Sequence, residues 1–243
     1  MIAPLLLSAM IARAALADPA PQEAGQAAPA SFPHVRVDRE ARTVEFDAAV
    51  PIDAQARDSR GERTRVYLEI IACSFDSREH ETLVVTSAKP SHIHAALLLI
   101  GLEPGRPGSW EQEGDKTRFV KPEGEGVRVE FITKGDDGKE AVASPTSWII
   151  NPKTGGRFPE GDWVFAGSRF VVRNLPGGKQ ERYAADGAGT IIGLHTFGSE
   201  VLAWREGLHP DEAVEEAVWC ADPLCVPKAG TAVRVRLRPV AGD

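Results

Sequence analysis

The chain has 243 residues, of which 42% are hydrophobic and 26% are charged. These fractions are those of an ordinary folded protein, so they exclude disorder of the whole chain. The 28 basic and 35 acidic residues give a net charge of −7. This balance disfavours nucleic-acid binding, which normally requires a basic surface.

The first 31 residues have the pattern of a targeting signal followed by a linker. Residues 1–17 are mostly apolar and end in an Ala-Leu-Ala triplet, the form of a signal-peptidase site. Residues 18–31 are rich in Pro and Ala, which is typical of a linker. We therefore expect an exported protein, periplasmic or secreted, with a single globular domain at 32–243. No run of 18 apolar residues occurs, so no transmembrane helix is predicted.

Apolar residues at every second position predict short strands along most of this domain. The first two strands flank a polar stretch at 38–42, which indicates a hairpin. A glycine-containing turn at 135–138 is expected to lead to a partner strand near 148–150. The predicted strands lie near residues 35–37, 44–46, 66–70, 80–86, 127–132, 148–150, 163–165, 190–192, 200–202 and 233–237.

Two segments carry helix signals. Residues 90–101 begin with Pro-Ser and end with Gly, and their apolar residues recur at helical spacing. Residues 209–219 begin with a proline and two acids, which suit the start of a helix. Because strands and helices follow no regular βαβ order, the predicted fold class is α+β: a mainly antiparallel sheet with one principal helix and a second short one.

Metal-ligand residue types are concentrated between positions 73 and 94. Cys73, His80, Glu81 and His94 could bind zinc or copper. Their spacing matches neither HExxH nor a zinc finger, and on a strand His80 would point away from Glu81. We therefore predict no cofactor. Metal binding by His80, His94 and Cys73 is the alternative to histidines that only make local hydrogen bonds.

The three cysteines suggest different roles. Cys220 and Cys225 are separated by four residues, and a disulfide is feasible if the turn between them is tight. Two unbonded thiols are the alternative. Cys73 lies in an apolar run and is expected to be a buried thiol that packs like a small hydrophobic residue.

No sequence pattern for nucleophilic catalysis or phosphate binding is found, so a binding protein is favoured over an enzyme. The last predicted strand carries Arg234, Arg236 and Arg238 on one face. A solvated sheet face is the simplest interpretation of this stripe. The alternative is a docking strip for an acidic partner or an anionic surface.

Several segments resemble the YdjY-like family of bacterial exported or periplasmic domains. The resemblance is strongest at EHETLVV (79–85), KPSHIHAAL (89–97) and GLEPG (101–105), and it continues at WVFAGS (163–168), YAAD (183–186) and FGSEVL (197–202). It spans roughly 34–238 and implies one exported domain of unassigned role. Within it, His80, Glu81 and His94 mark the place to look for a site.

These observations favour a non-enzymatic binding domain for a small ligand or an envelope protein partner. Its pocket is expected near the His80 strand and the start of the helix at 90–101. The alternative is a metal-binding protein or a metal-dependent enzyme that uses His80 and His94.

Overall fold

Short β-strands are the main regular structure of the described residues. The computed structural model describes residues 32–114, 116–135, 137–208 and 218–240. The strands are β1 (Val35–Asp38), β2 (Thr43–Ala49), β3 (Ile70–Ser74), β4 (Thr82–Thr86), β5 (Ser109–Glu113), β6 (Lys116–Val120), β7 (Gly126–Lys134), β8 (Glu140–Ala143), β9 (Ile149–Ile150), β10 (Trp163–Phe165), β11 (Phe170–Leu175), β12 (Gly178–Tyr183), β13 (Thr190–Gly193), β14 (Leu202–Trp204), β15 (Cys220–Ala221) and β16 (Ala232–Pro239). The helices are α1 (Pro90–Leu99) and α2 (Ala184–Ala188), with 3-10 turns at Glu79–Glu81 and Pro145–Trp148.

Eight of these strands close into a barrel. They follow one another in the order β2, β16, β7, β10, β14, β13, β3 and β4. The pairing of Ala49 in β2 with Val85 in β4 closes the ring. Most neighbours are antiparallel, while β3–β4 and β13–β14 are parallel. Strand β1 extends the ring from β2, and β8 pairs with the outer part of β7.

The barrel interior is filled by the alternate residues that the sequence pattern marked as apolar. Phe46, Phe131, Trp163 and Phe165 are fully buried there. On β16, Val233, Val235 and Leu237 are buried, while the arginines between them point outward. The two-residue period of the sequence is thus the inside-outside period of the barrel wall.

Helix α1 belongs to the same core. Its Ile93, Ala96 and Leu97 side chains are fully buried and pack in the main hydrophobic cluster. Burying one such isoleucine or leucine contributes roughly 1.5–3 kcal/mol. The helix ends at Leu99, two residues before the predicted glycine, Gly101, which has a φ of +80°.

Three small strand pairs lie outside the closed ring: β5–β6, β9–β15 and β11–β12. In the β11–β12 hairpin every described side chain from 172 to 182 is exposed. This hairpin therefore stands away from the barrel, and we call it the basic hairpin below because of its composition.

The structure confirms several predicted elements and corrects others. The first hairpin, the strands at 127–132, 163–165, 190–192 and 233–237, and the helix at 90–101 are present. The fold class is wrong in one respect: the protein is mainly β with a closed sheet, not an open α+β sheet. Period-two patterning is the same for open and closed sheets, so only the long-range pairing of β2 with β4 distinguishes them.

The prediction that the turn at 135–138 leads to a partner strand near 148–150 is also wrong. The turn leads directly to β8, and Ile149–Ile150 pairs instead with Cys220–Ala221. Strand β8 is an exposed edge strand without apolar alternation, so its residues carry no strand signal. The predicted signal and linker at 1–31 and helical residues 209–217 lie outside the described residues.

Among the described helices, none combines the length and the apolar character needed to cross a bilayer.

Candidate functional site

The start of helix α1 is held by a distant part of the chain. Lys89 precedes the helix in an extended conformation, and Pro90 occupies the first helical position, where a missing N–H costs little. The N–H of Ser91 donates to Oδ1 of Asp186 in α2 over 2.8 Å. A carboxylate at this point also interacts favourably with the helix dipole. The loop after β4, α1 and α2 therefore meet here.

His94, one of the predicted site residues, is half-buried in α1 and bonded to Tyr183 at the end of β12. Its Nδ1 lies 2.8 Å from the phenol oxygen, and the phenol donates to the Gly167 carbonyl over 3.0 Å. Because the phenol has one proton and the carbonyl can only accept, His94 donates its own Nδ1 proton to the tyrosine. Burial lowers the pKa of His94 and raises the pKa of Tyr183, which favours the neutral form of both groups.

The turn between β10 and β11 completes this cluster and requires a glycine. Gly167 has a φ of +80°, and a Cβ at this position would lie 2.5 Å from the Cβ of Pro104. The Ser168 hydroxyl donates to the Ser199 carbonyl over 2.7 Å and accepts the N–H of Ala185 over 3.2 Å. The turn is thereby tied both to α2 and to the segment before β14.

Four of the six segments that carry the family resemblance therefore meet in space, although up to 95 residues separate the bonded pairs. The contacts at the start of α1 join residues from 89–97, 163–168, 183–186 and 197–202. We call this group, formed by His94, Gly167, Ser168, Tyr183 and Asp186, the helix-start cluster, and it frames the candidate functional site.

A groove of about 390 Å³ lies beside the helix-start cluster, on the Asp186 side. It runs between the end of β3, the loop from β4 to α1, and α2. Phe75 is 49% exposed, and Lys89 is exposed without an ion-pair partner among the described residues. The groove is lined by Ser74, Phe75, Thr86, Ser87, Ala88, Lys89, Pro90 and Asp186. It therefore offers an aromatic face and a positive charge to a small ligand.

His80 and Glu81 lie together, but they have different partners from His94. The His80 side chain is 81% exposed in the 3-10 turn, with its Nε2 3.8 Å from Oε2 of Glu81. Glu81 also pairs with Arg78 at 3.2 Å, and the Arg78 guanidinium lies 4.2 Å from the centre of the Phe197 ring. The structure thus brings together two of the three predicted ligand-binding residues, and His94 joins a separate set of contacts.

The predicted metal ligands His80, His94 and Cys73 also lie in separate sets of contacts. Cys73 is fully buried in β3, and burial raises the pKa of its thiol, which disfavours the thiolate that binds metals. Within the described ranges, no three His, Cys, Asp or Glu side chains are placed to hold one metal ion. Metal binding by His80, His94 and Cys73 stays a prediction, because the described residues contain no group of three such ligands.

The predicted disulfide is not present, since Cys220 and Cys225 are both free thiols. Cys220 lies in β15, where burial raises its pKa to about 11. The Cys225 N–H closes a turn by donating to the Asp222 carbonyl, and its Sγ lies 3.3 Å from Nη1 of Arg157. The turn therefore directs Cys225 to Arg157. The short spacing in sequence does not by itself bring the two sulfur atoms together.

Two buried titratable residues, Glu200 and His195, were not among the predicted site residues. Oε2 of Glu200 accepts the N–H groups of Phe197 and Ser199 over 3.1 and 3.0 Å. Glu200 is fully buried, and burial raises its pKa. His195 is 8% exposed, and burial lowers its pKa to about 4. A single acid or histidine in a short polar loop gives no sequence signal that would predict such burial.

The fold and the helix-start cluster define a closed β domain in which the start of helix α1 borders a groove of about 390 Å³. The family model of the YdjY domain matches residues 35–238. Because this match covers most of the chain, the protein belongs to the YdjY domain family, as the resemblance indicated. No curated protein and no solved structure gives a significant match to this chain.

Proposed function

We propose that this protein is an exported binding domain that holds a small ligand in the groove at the start of α1. The groove of about 390 Å³, with Phe75 and Lys89 at its surface, is the observation that carries the proposal. It lies between the end of β4 and the start of α1, and the predicted residues His80, Glu81 and His94 are not among those that line it. Export is supported by the apolar first 17 residues and the Pro/Ala-rich linker that follows.

The free groups in the groove indicate the ligand's chemistry. Thr86 and Asp186 are already engaged: the Thr86 hydroxyl donates to the Asp47 carbonyl over 2.6 Å, and Asp186 accepts from Ser91. Phe75 and Lys89 retain their capacity to bind. A flat apolar group can stack on the Phe75 ring, and an anionic group can pair with the Lys89 ammonium. The proposed ligand class is therefore a small aromatic or otherwise planar carboxylic acid.

A binding role without turnover fits the neighbouring polar groups. His94 donates its Nδ1 proton to Tyr183, and burial favours the neutral form of both side chains. Their bonds hold α1 against the β10–β11 turn, so they support the wall of the groove. In this proposal, Lys89 acts only as a fixed charge.

Ligand-observed NMR with a set of benzoate-like acids tests the proposal. We expect members of the set to bind at up to millimolar concentration, and Phe75→Ala and Lys89→Ala each to weaken binding about tenfold or more. Val142→Ala is the matched control, because Val142 is 57% exposed on β8 and does not line the groove. The proposal is wrong if no acid of the set binds, or if the control weakens binding as much as the groove variants do.

A further inference from the structure

The basic hairpin differs in charge from the rest of this acidic chain. Between residues 169 and 183 it has four basic residues and one acidic residue, a net charge of +3, whereas the whole chain carries −7. The four basic residues, Arg169, Arg173, Lys179 and Arg182, are all exposed. Among the described residues, none of the four forms an ion pair, and Arg182 bonds only to Gln180 of the same hairpin.

The same hairpin exposes apolar side chains. Phe170 is 65% exposed and Val172 is 60% exposed, two of the highest values for large apolar residues in the described chain. They are two residues apart on β11, so they share one face of the hairpin. The register puts Phe170 opposite Tyr183 and Val172 opposite Glu181. Apart from the contact of the Phe170 ring with Tyr183, at 5.5 Å between ring centres, these apolar side chains remain open to solvent, which is typical of an interaction surface.

We propose that the basic hairpin binds the surface of an anionic lipid bilayer. Unpaired cations are attracted to acidic headgroups, and neighbouring apolar side chains enter the boundary between headgroups and acyl chains. With the Phe170 face on the bilayer, Lys179 lies on that same face, near the tip. Arg173 and Arg182, on the other face, have side chains long enough to reach the headgroups around the hairpin edge.

Charge complementarity favours an anionic surface, and the shape of the hairpin favours a lipid one. The hairpin stands away from the barrel, and every described side chain from 172 to 182 is exposed, on both faces. A fluid bilayer adapts to such a shape, whereas an acidic protein would need a matching concave surface. The rest of the chain is acidic and would be repelled, so attraction through the hairpin would also orient the barrel above the membrane.

Vesicle sedimentation of the full chain tests this proposal, with vesicles of equal parts phosphatidylglycerol and phosphatidylcholine compared with phosphatidylcholine alone. We expect binding only to the anionic vesicles and weaker binding as salt is raised. The triple variant R173E/K179E/R182E should bind at least about 100-fold more weakly, since each basic residue near the surface contributes about fivefold. The double variant F170S/V172S should bind about tenfold more weakly with no change in net charge.

The matched control is R39E/K134E/K228E, which changes the net charge by the same amount at exposed basic residues outside the hairpin. It should reduce binding less than about threefold by long-range repulsion alone. All variants share the same N-terminal residues, so any contribution from the apolar first segment is common to them. Circular dichroism and thermal unfolding should be unchanged in each, because all substituted residues are exposed.

Three outcomes would overturn the proposal. The first is no binding of the parent to anionic vesicles at low salt, and the second is equal weakening by the control and the hairpin variant. The third is binding to polyglutamate in preference to vesicles of equal charge, which would assign the hairpin to an acidic protein partner. Phe75→Ala and Lys89→Ala should leave vesicle binding intact, so this proposal and the groove ligand can fail independently.

Discussion

Arginines on strand β16 and in the basic hairpin occupy similar outward-facing positions but have different surroundings. On β16 the register places Arg236 between Glu45 of β2 and Glu130 of β7. Arg236 bonds to Glu45 over 2.6 Å, and Arg238 bonds to Glu130. Arg234 bonds to Glu140 of β8 over 3.0 Å. Among the described residues, Arg169, Arg173 and Arg182 of the hairpin form no ion pair with a carboxylate.

This comparison decides between two interpretations of a basic stripe. Arg234, Arg236 and Arg238 looked like a possible docking strip in sequence, but their charges are neutralised by carboxylates on neighbouring strands. Free positive charge is found instead at Arg173 and Arg182, which no periodic pattern marked. A row of cations is therefore available to a partner only where the strand register brings no acids to it.

The largest difference between the two regions is expected in the contribution of their phenylalanines to stability. Phe131 is fully buried in the barrel, whereas Phe170 is 65% exposed in the hairpin. Phe131→Ala should lower the free energy of unfolding by about 3–5 kcal/mol because it leaves a cavity. Phe170→Ala should change it by less than about 0.5 kcal/mol. Urea unfolding measures both, and similar losses would contradict the assignment of the hairpin as free-standing.

Buried titratable groups should make the barrel region sensitive to pH. The pKa of His195 is about 4 in the folded protein and near 6.5 when unfolded, so the unfolded chain binds more protons between these values. Stability should therefore fall by roughly 3 kcal/mol from this group as the pH drops from 6.5 to 4. His195→Gln should remove this decline, and the exposed control His80→Gln should retain it. If the stability of His195→Gln still declines as the pH falls, another titratable group is responsible for the pH sensitivity.

The acids of the two regions form another matched pair. Glu130 is 14% exposed and pairs with two arginines of β16. Glu130→Gln should lower the free energy of unfolding by about 1–2 kcal/mol, because the charge-assisted bonds are lost while the arginines stay half-covered. Glu181→Gln in the hairpin should have an effect below about 0.5 kcal/mol. Chemical unfolding at low and high salt checks both, and equal effects would show that the β16 ion pairs do not stabilise the wall.

The smallest expected effect concerns the two tyrosines of the chain. The phenol of Tyr183 bonds to His94 and to the Gly167 carbonyl. Tyr183→Phe should cost about 1 kcal/mol by removing these bonds. Tyr67 is 37% exposed, and Tyr67→Phe serves as the control with no measurable loss. If Tyr183→Phe is equally neutral, the helix-start cluster does not hold α1 in place.

The sequence predicted local elements better than their arrangement. Helix α1 and strand β16 followed from apolar spacing and from Pro and Gly at their ends, which are local properties. The closure of the ring depends on the pairing of β2 with β4, at Ala49 and Val85, which neither segment encodes by itself. Hairpins with few apolar residues, such as β5–β6 and β8 with its turn, gave weak alternation and were missed or misplaced.

The candidate site was predicted in part for the same reason. His94 was identified by residue type, but its partner Tyr183 lies 89 residues away, so the bond is a product of the tertiary fold. His80 and Glu81 were identified by residue type and by the family resemblance, and they lie together in the structure. The groove residue Phe75 gave no signal, because an exposed phenylalanine beside a strand is indistinguishable in sequence from a buried one.

The position of β16 also determines when the barrel can assemble. It is the last strand in chain order, yet it lies between β2 and β7 in the ring. Until β16 joins, β2 and β7 have unpaired edges, and the loop that must close spans almost the whole domain. Folding should therefore be slow and should depend on contacts that are distant in sequence. The other seven strands cannot form the complete ring before β16 has paired with β2 and β7.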